Sequence, residues 1–141
     1  MIEQASWYTT VYTSVGTPEV TYGYDTTTTT STTGYIGLMY PSDYGYAPLA
    51  SVCARTISLG SYNGSTNGLT CSGQNWLKYG EYEWTIAQYS TSLAWYVIFS
   101  GLVNNTNLYF GLAVRPSLYL KSNVYYVSGT GAYTDSYIIG I

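Results

Sequence analysis

The acidic residues Glu81 and Glu83 are the first place in this sequence where catalytic chemistry could arise. They stand two residues apart in the segment EYE, so on a strand both carboxylates would lie on one face. Paired carboxylates hydrolyse glycosidic bonds when their spacing suits the reaction. Neighbouring acids are far more often solvated or held in structural ion pairs, so the pair favours a structural role over glycosidase chemistry.

Hydroxyl side chains are abundant, but the sequence offers no base to activate them as nucleophiles. The chain contains no His, which excludes imidazole acid–base catalysis and imidazole metal ligation. A Lys could act as the base only if it were strongly desolvated. No nucleophile-elbow motif and no phosphate-cradling glycine motif occurs. We therefore predict a protein that is not an enzyme, with no catalytic residue, no cofactor and no metal site.

Two cysteines, Cys53 and Cys71, enclose a short polar loop. In a chain rich in Ser, Thr and Tyr, this arrangement predicts one disulfide formed in an oxidising compartment. Closing a loop of this size would be worth roughly 3 kcal/mol in the chain-entropy model. The alternative is a pair of unrelated free thiols, since a metal site would need further Cys or His ligands.

Arg115 stands beside Pro116 between apolar residues in the segment VRPSLYL. A partly buried Arg must be paired, because an uncompensated buried charge is strongly destabilising. We predict a structural ion pair or a cage of carbonyl groups, with Glu81, Glu83 or Asp135 as the acidic partner. The alternative is a role in binding a ligand carboxylate.

The composition indicates a single β-rich domain. The chain has 141 residues, 19 of them Tyr, with only four Lys or Arg against seven Asp or Glu. This length suits one domain with a real core. The scarcity of helix-forming residues argues against helical bundles and coiled coils. Four scattered cations cannot form the basic face that phosphate binding needs, so we expect no nucleic-acid partner.

The sequence predicts no direct membrane insertion within this segment. Its apolar runs fall short of the ~20 residues that cross a bilayer, and no basic region precedes the apolar stretch of a signal peptide. Chains with this polar, aromatic composition and one disulfide are typical of oxidising compartments. We therefore expect an extracellular protein whose export or anchor segment lies upstream of this sequence.

Short strands separated by turns are the main elements that the sequence predicts. Residues 6–24 alternate β-branched and aromatic residues with turn formers, which favours strands over helix. The Thr-rich run 25–33 is predicted to be an exposed loop, with an edge strand as the alternative. The apolar run 35–40 predicts a buried strand, and the residues that follow from Pro41 can open a short helix.

Aromatic residues mark the predicted core of the second half of the chain. We expect Trp76 and Trp84 to anchor it. Residues 94–103, AWYVIFSGLV, predict a strand, a turn at Ser100 and Gly101, and a second strand.

Several motifs occur in order through the C-terminal half: EWTI (83–86), AWYV (94–97), VRPSLYLKS (114–122) and SGTGAYTDSYIIG (128–140). With YIGLMYPSDYGYA (35–47) in front of them, the region 35–141 resembles modules of the C-type-lectin or formylglycine-generating-enzyme-like type. Such modules occur in bacterial surface and pilin-linked proteins, and some are the variable proteins of diversity-generating retroelements. The sugar-binding EPN, QPD and WND motifs of C-type lectins are missing, so the resemblance implies the fold and not sugar binding.

The resemblance implies an α+β, β-rich, C-type-lectin-like fold with short helices, much ordered loop and one disulfide. A single domain would cover residues 1–141 in four parts. These are N-terminal strands and a Thr-rich loop (1–34), a scaffold with the cysteine loop (35–87), a variable ligand-binding region (88–113) and C-terminal scaffold strands (114–141).

The region 88–113 interleaves two kinds of position. Trp95 and its apolar or glycine neighbours are expected to form the scaffold. Between them stand uncharged Asn, Tyr, Ser, Phe, Leu and Ile residues, which in the resembled family arise when Asn codons are mutated at adenines. Tyr, Ser and Asn also suit a binding surface, although an ordinary half-buried sheet contains similar residues. The predicted ligand-binding residues are Tyr89, Ser92, Leu93, Tyr96, Ile98, Phe99, Leu102, Asn104, Asn105, Asn107, Leu108, Tyr109 and Phe110.

These expectations combine into a surface-displayed, adhesin-like domain that binds without catalysis. Its partner would be a protein or a cell-surface ligand, held by shape, aromatic contact and hydrogen bonds. We expect display at the bacterial cell surface, with a pilus or fibre subunit as a further partner. The alternative is a structural, pilin-like fibre subunit whose aromatic surface packs against copies of itself.

Overall fold

The computed structural model describes residues 1–10, 29–48, 51, 71–132 and 134–141. Eleven strands and one short helix have both ends within these residues, and residues 71–73 are also helical. The elements in chain order are β1 (Ile2–Glu3), β2 (Ala5–Thr10), β3 (Thr29–Gly34), β4 (Gly37–Leu38), α1 (Pro41–Tyr46), β5 (Glu83–Gln88), β6 (Leu93–Val97), β7 (Val103–Asn107), β8 (Pro116–Ser117), β9 (Tyr119–Leu120), β10 (Tyr125–Ser128) and β11 (Ile138–Gly140).

The strands form five small antiparallel sheets within the described part of the chain. The largest has three strands in the order β5-β6-β7, and we call it the central sheet. The others are the pairs β1-β9, β2-β3, β4-β8 and β10-β11. The outer edge of β5 is covered by backbone hydrogen bonds, because the Ile86 amide donates to the Met39 carbonyl and the Trp84 amide donates to the Ala113 carbonyl, each at 3.0 Å.

The core lies on one face of the central sheet. In β5 the residues Glu83, Thr85 and Ala87 are buried, and each alternates with a partly exposed residue. This period of two is what a strand with one covered face requires. The buried cluster consists of Met39, Tyr44, Cys71, Ala87, Trp95, Val97 and Val103.

Buried hydrogen bonds join helix α1 to the turn of the central sheet and to Asn75. The Tyr44 hydroxyl donates to the Gly101 carbonyl at 2.8 Å, and the Asn75 side-chain Nδ2 donates to the Tyr44 carbonyl at 2.7 Å. Gly101 has a φ of +86°, which suits a residue without a Cβ. Tyr44 therefore anchors the turn between β6 and β7 and satisfies its own buried hydroxyl.

A second apolar cluster surrounds Trp7. Its ring lies 5.3 Å from the Tyr119 ring and 6.4 Å from the Tyr40 ring, measured between centroids. The Trp7 indole N–H donates to the Gly34 carbonyl at 3.1 Å. A Cβ on Gly37 would lie 2.3 Å from the Trp7 ring, so only glycine permits this packing.

The predicted ion pair of Arg115 is confirmed, with Glu83 as its partner. Arg115 Nε lies 2.8 Å from Glu83 Oε1, and Arg115 Nη2 donates to Glu83 Oε2 at 2.9 Å. Arg115 Nη1 also donates to the Leu77 carbonyl at 2.8 Å, so the pair and the carbonyl contact both exist. Burial raises the pKa of the Glu83 carboxyl, and this effect outweighs the Arg115 charge, which acts to lower it.

The predicted α+β, C-type-lectin-like fold is wrong. The regular secondary structure of the described residues is mostly strand, and their helical segments are only the six residues of α1 and the short segment 71–73. A six-residue helix is about 9 Å long and cannot form a helical layer over a sheet. The scarcity of helix formers already noted in the composition is the physical reason.

Cys71 is buried in the core and is disulfide-bonded, so it is not a free thiol. Its predicted partner Cys53 lies outside the described residues, and the pairing of the two stays a prediction. Among the local predictions, the short helix from Pro41 is confirmed by α1. The Thr-rich run is a strand rather than a loop from Thr29 onward, since β3 pairs with β2 over six residues; positions 25–28 fall outside the described part.

Neither of the two tryptophans predicted to anchor the core is fully buried. Trp76 is 75% exposed, so its prediction as a core anchor is wrong. Trp84 lies on the partly exposed face of β5, whereas Trp95 is 4% exposed and belongs to the core. None of the helices in the described residues is long and apolar enough to span a membrane.

Candidate binding face

Four aromatic rings lie together on the side of the central sheet opposite the core. The Tyr96 ring is 6.1 Å from the Tyr82 ring and 6.1 Å from the Trp84 ring, and the Tyr82 ring is 5.5 Å from Phe99. We call the surface formed by Tyr82, Trp84, Tyr96 and Phe99 the aromatic face. Tyr82 and Phe99 are exposed, so the rings are open to an incoming ligand.

The strand register explains why these rings meet. Trp84 in β5 pairs with Tyr96 in β6, which in turn pairs with Asn104 in β7. Directly paired residues point to the same face of a sheet and bring their side chains into contact. One row across the sheet therefore presents an indole, a phenol and an amide side by side.

A tight turn between β6 and β7 carries Phe99 to the edge of the aromatic face. The Gly101 amide donates to the Ile98 carbonyl at 2.7 Å, and the Ile98 amide donates to the Leu102 carbonyl at 2.8 Å. Because the Tyr44 hydroxyl also binds the Gly101 carbonyl, the turn is fixed from inside the core. Phe99 is thus held in position by a rigid turn.

An open cavity of about 340 Å³ adjoins the aromatic face. This volume lies at the lower end of the range for small-ligand sites and could hold one apolar side chain of a partner. None of the residues around it carries a charge, and Gln88 supplies an amide. The lining residues are Leu38, Trp84, Thr85, Ile86, Gln88, Ala94 and Leu108.

The aromatic face is uncharged at neutral pH. Burial raises the pKa of the Tyr96 phenol, and the neighbouring Tyr82 shifts it in the same direction. The Tyr96 hydroxyl therefore keeps its proton and can donate a hydrogen bond. Asn104 adds an amide whose Oδ1 accepts a hydrogen bond from the Asn105 amide at 2.8 Å, which orients the Asn104 side chain.

Four of the predicted ligand-binding residues gather at this site. Tyr96 and Phe99 belong to the aromatic face, Asn104 continues its central row, and Leu108 lines the cavity. Two further predicted residues, Tyr109 and Phe110, follow in the turn after β7. Their rings are 4.7 Å apart and both are exposed, Tyr109 by 77%.

The other predicted residues lie away from the aromatic face. In β7, Asn105 pairs with the buried Trp95, and Asn107 pairs with Leu93. The predicted residues Leu93, Asn105 and Asn107 therefore lie on the core side of the sheet. Ser92 is exposed in the turn before β6, where its carbonyl accepts a hydrogen bond from the Leu108 amide at 3.1 Å.

Three predicted residues are covered to some degree by the protein itself. The half-buried Tyr89 ring packs edge-on against Trp95 at 5.2 Å. Leu102 is buried, and Ile98 is half-buried at the start of the turn. The prediction therefore combined residues from both sides of one sheet.

The sequence-based prediction missed Tyr82, Trp84 and Ile86 because it placed the start of the ligand-binding region at residue 88, and it did not include Gln88 among the ligand-binding residues. These four residues stand at every second position, and alternate positions on a strand share a face. That alternation was the available signal. Leu38, from the distant strand β4, had no such signal in the local sequence.

No family model, no curated protein and no solved structure matches this chain. The function therefore has to be argued from the geometry of the aromatic face and its cavity. These surfaces can stack against rings, bury an apolar group and form hydrogen bonds through a phenol and two amides.

Proposed function

We propose that this chain is a non-catalytic binding domain whose aromatic face holds a protein or cell-surface ligand. The observation that supports the proposal most directly is the row Trp84, Tyr96 and Asn104, flanked by Tyr82 and Phe99. Tyr and Trp are the residues that contribute most to binding energy at protein interfaces. Here they stand beside an apolar cavity that a partner side chain can fill.

Pre-organisation favours binding at this face. Tyr96 is held between strands β5 and β7 and touches two other rings, so little rotamer freedom remains to be lost when a ligand binds. The Tyr44 hydroxyl fixes the turn that carries Phe99. The conformational entropy cost of ordering Tyr96 and the turn that carries Phe99 therefore falls on folding and not on ligand binding.

The ligand should be recognised by shape and hydrogen bonding, with little electrostatic steering. None of the residues of the aromatic face carries a charge, and the whole chain has a net charge of −3. Complementary charges mainly raise association rates at low salt. We therefore expect the affinity to change little with ionic strength.

We also propose that the domain is displayed outside the cell and that its exposed positions vary between copies of the gene. The candidates are uncharged residues that are exposed or partly exposed: Tyr96, Phe99, Asn104 and Leu108 at the aromatic face and its cavity, Tyr109 and Phe110 in the turn after β7, and Ser92 in the turn before β6. The coding DNA tests this, because diversification requires a near-identical repeat that differs at adenines, close to a reverse transcriptase gene. Coding DNA without such a repeat would contradict diversification and leave the binding proposal intact.

A phage-displayed library of random peptides tests the binding proposal without a known ligand. Peptides selected on the immobilised chain should bind the variants Tyr96→Ala and Phe99→Ala at least about tenfold more weakly, a loss of about 1.4 kcal/mol. Trp76→Ala is the matched control, since Trp76 is an exposed aromatic residue outside the face.

The same selection can also overturn the proposal. Peptides that bind both face variants as tightly as the original chain would show that another surface recognises them. Unfolding curves of each variant should stay within about 1 kcal/mol of the original chain, since both substitutions are at partly exposed positions.

A further inference from the structure

The central row of the aromatic face is rich in hydrogen-bond donors. Trp84 carries an indole N–H, which can only donate, and Tyr96 carries a phenol hydroxyl. The side-chain oxygen of Asn104 already accepts the Asn105 amide at 2.8 Å, whereas its Nδ2 group makes no hydrogen bond within the described part of the chain. The row therefore suits a ligand that presents acceptors at regular intervals.

The rings lie on the face of the central sheet and not along an open strand edge. Strand β5 beside them already forms backbone hydrogen bonds with Met39 and Ala113, so a peptide cannot add there as a further strand. A helical peptide pairs its carbonyls within its own backbone and has little use for the donors of the row. The ligand that fits is an extended peptide whose carbonyls are unpaired.

We propose that the aromatic face binds a proline-rich peptide in the polyproline II conformation. The ligand class rests on the proposed function, because it concerns the same site. A polyproline II helix has no internal hydrogen bonds, and proline has no backbone N–H, so such a peptide presents acceptors without donors. Its pyrrolidine rings pack against aromatic side chains, and grooves lined by aromatic residues are the usual receptors for it.

The width of the row matches one turn of this helix. Neighbouring strands lie about 4.8 Å apart, so the row spans about 9.6 Å from Trp84 in β5 to Asn104 in β7. One polyproline II turn has three residues and rises about 9.3 Å, and residues three apart face the same way. Trp84 and Asn104 can therefore donate to carbonyls one turn apart, while Tyr96 packs against the residues between them.

Apolar surface continues on both sides of the row along β5. Tyr82 precedes Trp84 and contacts Phe99 at 5.5 Å, and these two rings are exposed by 43% and 55%. Ile86 and Gln88 follow Trp84 and line the cavity of about 340 Å³. None of these residues is charged. We therefore expect an uncharged proline-rich segment, with an apolar residue for the cavity and no required Lys or Arg.

A glycan fits this surface less well. Sugar hydroxyls both donate and accept hydrogen bonds, so a glycan needs acceptors from the protein as well as donors. The aromatic face and the cavity contain no carboxylate, because the acidic residue of β5, Glu83, is buried on the core side of the sheet. The excess of donors therefore favours the proline-rich peptide.

Titration of the full chain with acetylated and amidated decaproline tests the proposal. This peptide is uncharged and adopts the polyproline II helix. Isothermal titration calorimetry should show binding, and Asn104→Asp should weaken it at least about tenfold, because the change keeps the side-chain oxygen and removes the Nδ2 donor. Asn123→Asp makes the same change at an exposed position outside the central sheet and is the matched control, with unchanged affinity expected.

The possible failures distinguish the ligand class from the binding site. Decaproline that does not bind at about 1 mM, while phage-selected peptides still require Tyr96 and Phe99, would exclude a proline-rich ligand and leave the proposed function intact. A glycan that binds through the face in place of decaproline would also exclude it. Selected peptides that bind independently of the face would remove the proposed function and the ligand class together.

The variants test the donors themselves. Equal affinity of decaproline for the original chain and for a folded Asn104→Asp variant would contradict donation to the ligand carbonyls. If circular dichroism shows that Asn104→Asp does not fold, Trp84→Phe decides the question, because it removes the indole N–H and keeps an aromatic ring. Trp84→Phe should weaken decaproline binding at least about fivefold, and an unchanged affinity would overturn the proposal.

Discussion

The central sheet and the C-terminal hairpin, which consists of residues 125–141 with strands β10 and β11, are both rich in exposed aromatic residues, but of the two only the central sheet has a covered face. Strand β5 buries Glu83, Thr85 and Ala87 against the core while presenting Trp84 on the other side. In the hairpin, all four residues of β10 are exposed. The same residue types therefore form an aromatic face supported by a core in the central sheet, and a surface without a covered side in the hairpin.

Replacing one aromatic residue by Ala in each region should give the largest difference in unfolding free energy between the two regions. Trp95→Ala removes a side chain that is buried in the core and packed against Tyr89, so it should lower the free energy of unfolding by about 3–5 kcal/mol. Tyr137→Ala, in the exposed hairpin, should cost less than about 1 kcal/mol. Urea unfolding followed by circular dichroism measures both. Equal losses would remove the distinction between the two regions.

The ion pair of Arg115 should matter next, because it ties the segment after β7 to the buried side of β5. Arg115→Ala leaves the Glu83 carboxylate buried without its partner, and since Arg115 is 31% exposed we expect a loss of about 2–3 kcal/mol. Lys78→Ala removes an exposed cation and should change stability by less than about 0.5 kcal/mol. The double change Arg115→Met with Glu83→Leu should recover part of the loss. A neutral Arg115→Ala would show that the pair is solvated.

Two glycines with positive φ allow a finer comparison. A Cβ on Gly101 would lie 2.8 Å from Lys78 Cδ and 3.0 Å from both Ser72 Cβ and the Tyr44 hydroxyl, inside the packed turn. Gly101→Ala should therefore lower stability by about 1–2 kcal/mol. A Cβ on Gly131 meets only the exposed Tyr137 ring, at 2.6 Å, so Gly131→Ala should shift the melting temperature less. A larger effect at Gly131 would mean that the hairpin is the more tightly packed region.

The smallest predicted effect is the change of unfolding free energy with pH that the buried Glu83 carboxyl causes on the covered face of β5. Burial raises the pKa of Glu83, so the folded state holds its proton at higher pH than the unfolded state does. The stability gained from this proton is complete below the unfolded-state pKa and is lost as pH rises through the folded-state pKa. Unfolding free energies across this range should fall with pH relative to those of Glu83→Gln. The opposite slope would mean that the Arg115 charge outweighs burial.

The sequence predicted the partner of Arg115 and the start of α1 correctly because few residues could fill either role. With seven acidic residues in the whole chain, three candidate partners for Arg115 were enough to include the correct one. Pro41 marked the start of α1 because its fixed φ suits a first helical turn. Trp76 failed because local sequence does not reveal whether an aromatic ring finds a cover elsewhere in the chain.

The candidate site was harder to predict because it depends on register. Asn104 and Asn105 are neighbours in sequence, yet a strand sends them to opposite faces. Contacts between distant segments were also invisible, as with Leu38 of β4 at the cavity beside Trp84. The lectin-like fold was inferred from short motifs, and short motifs do not determine how small sheets pack together.

Amide spectra of the ¹⁵N-labelled chain test the central claim most directly. A peptide selected from the phage library would be titrated into the chain, and the amide signals that move would map the contact surface. We predict that the largest changes fall on Tyr82, Trp84, Tyr96, Phe99 and Asn104, with residues 125–141 unchanged. Changes confined to the C-terminal hairpin, with the aromatic face unaffected, would contradict the assignment of binding to the central sheet.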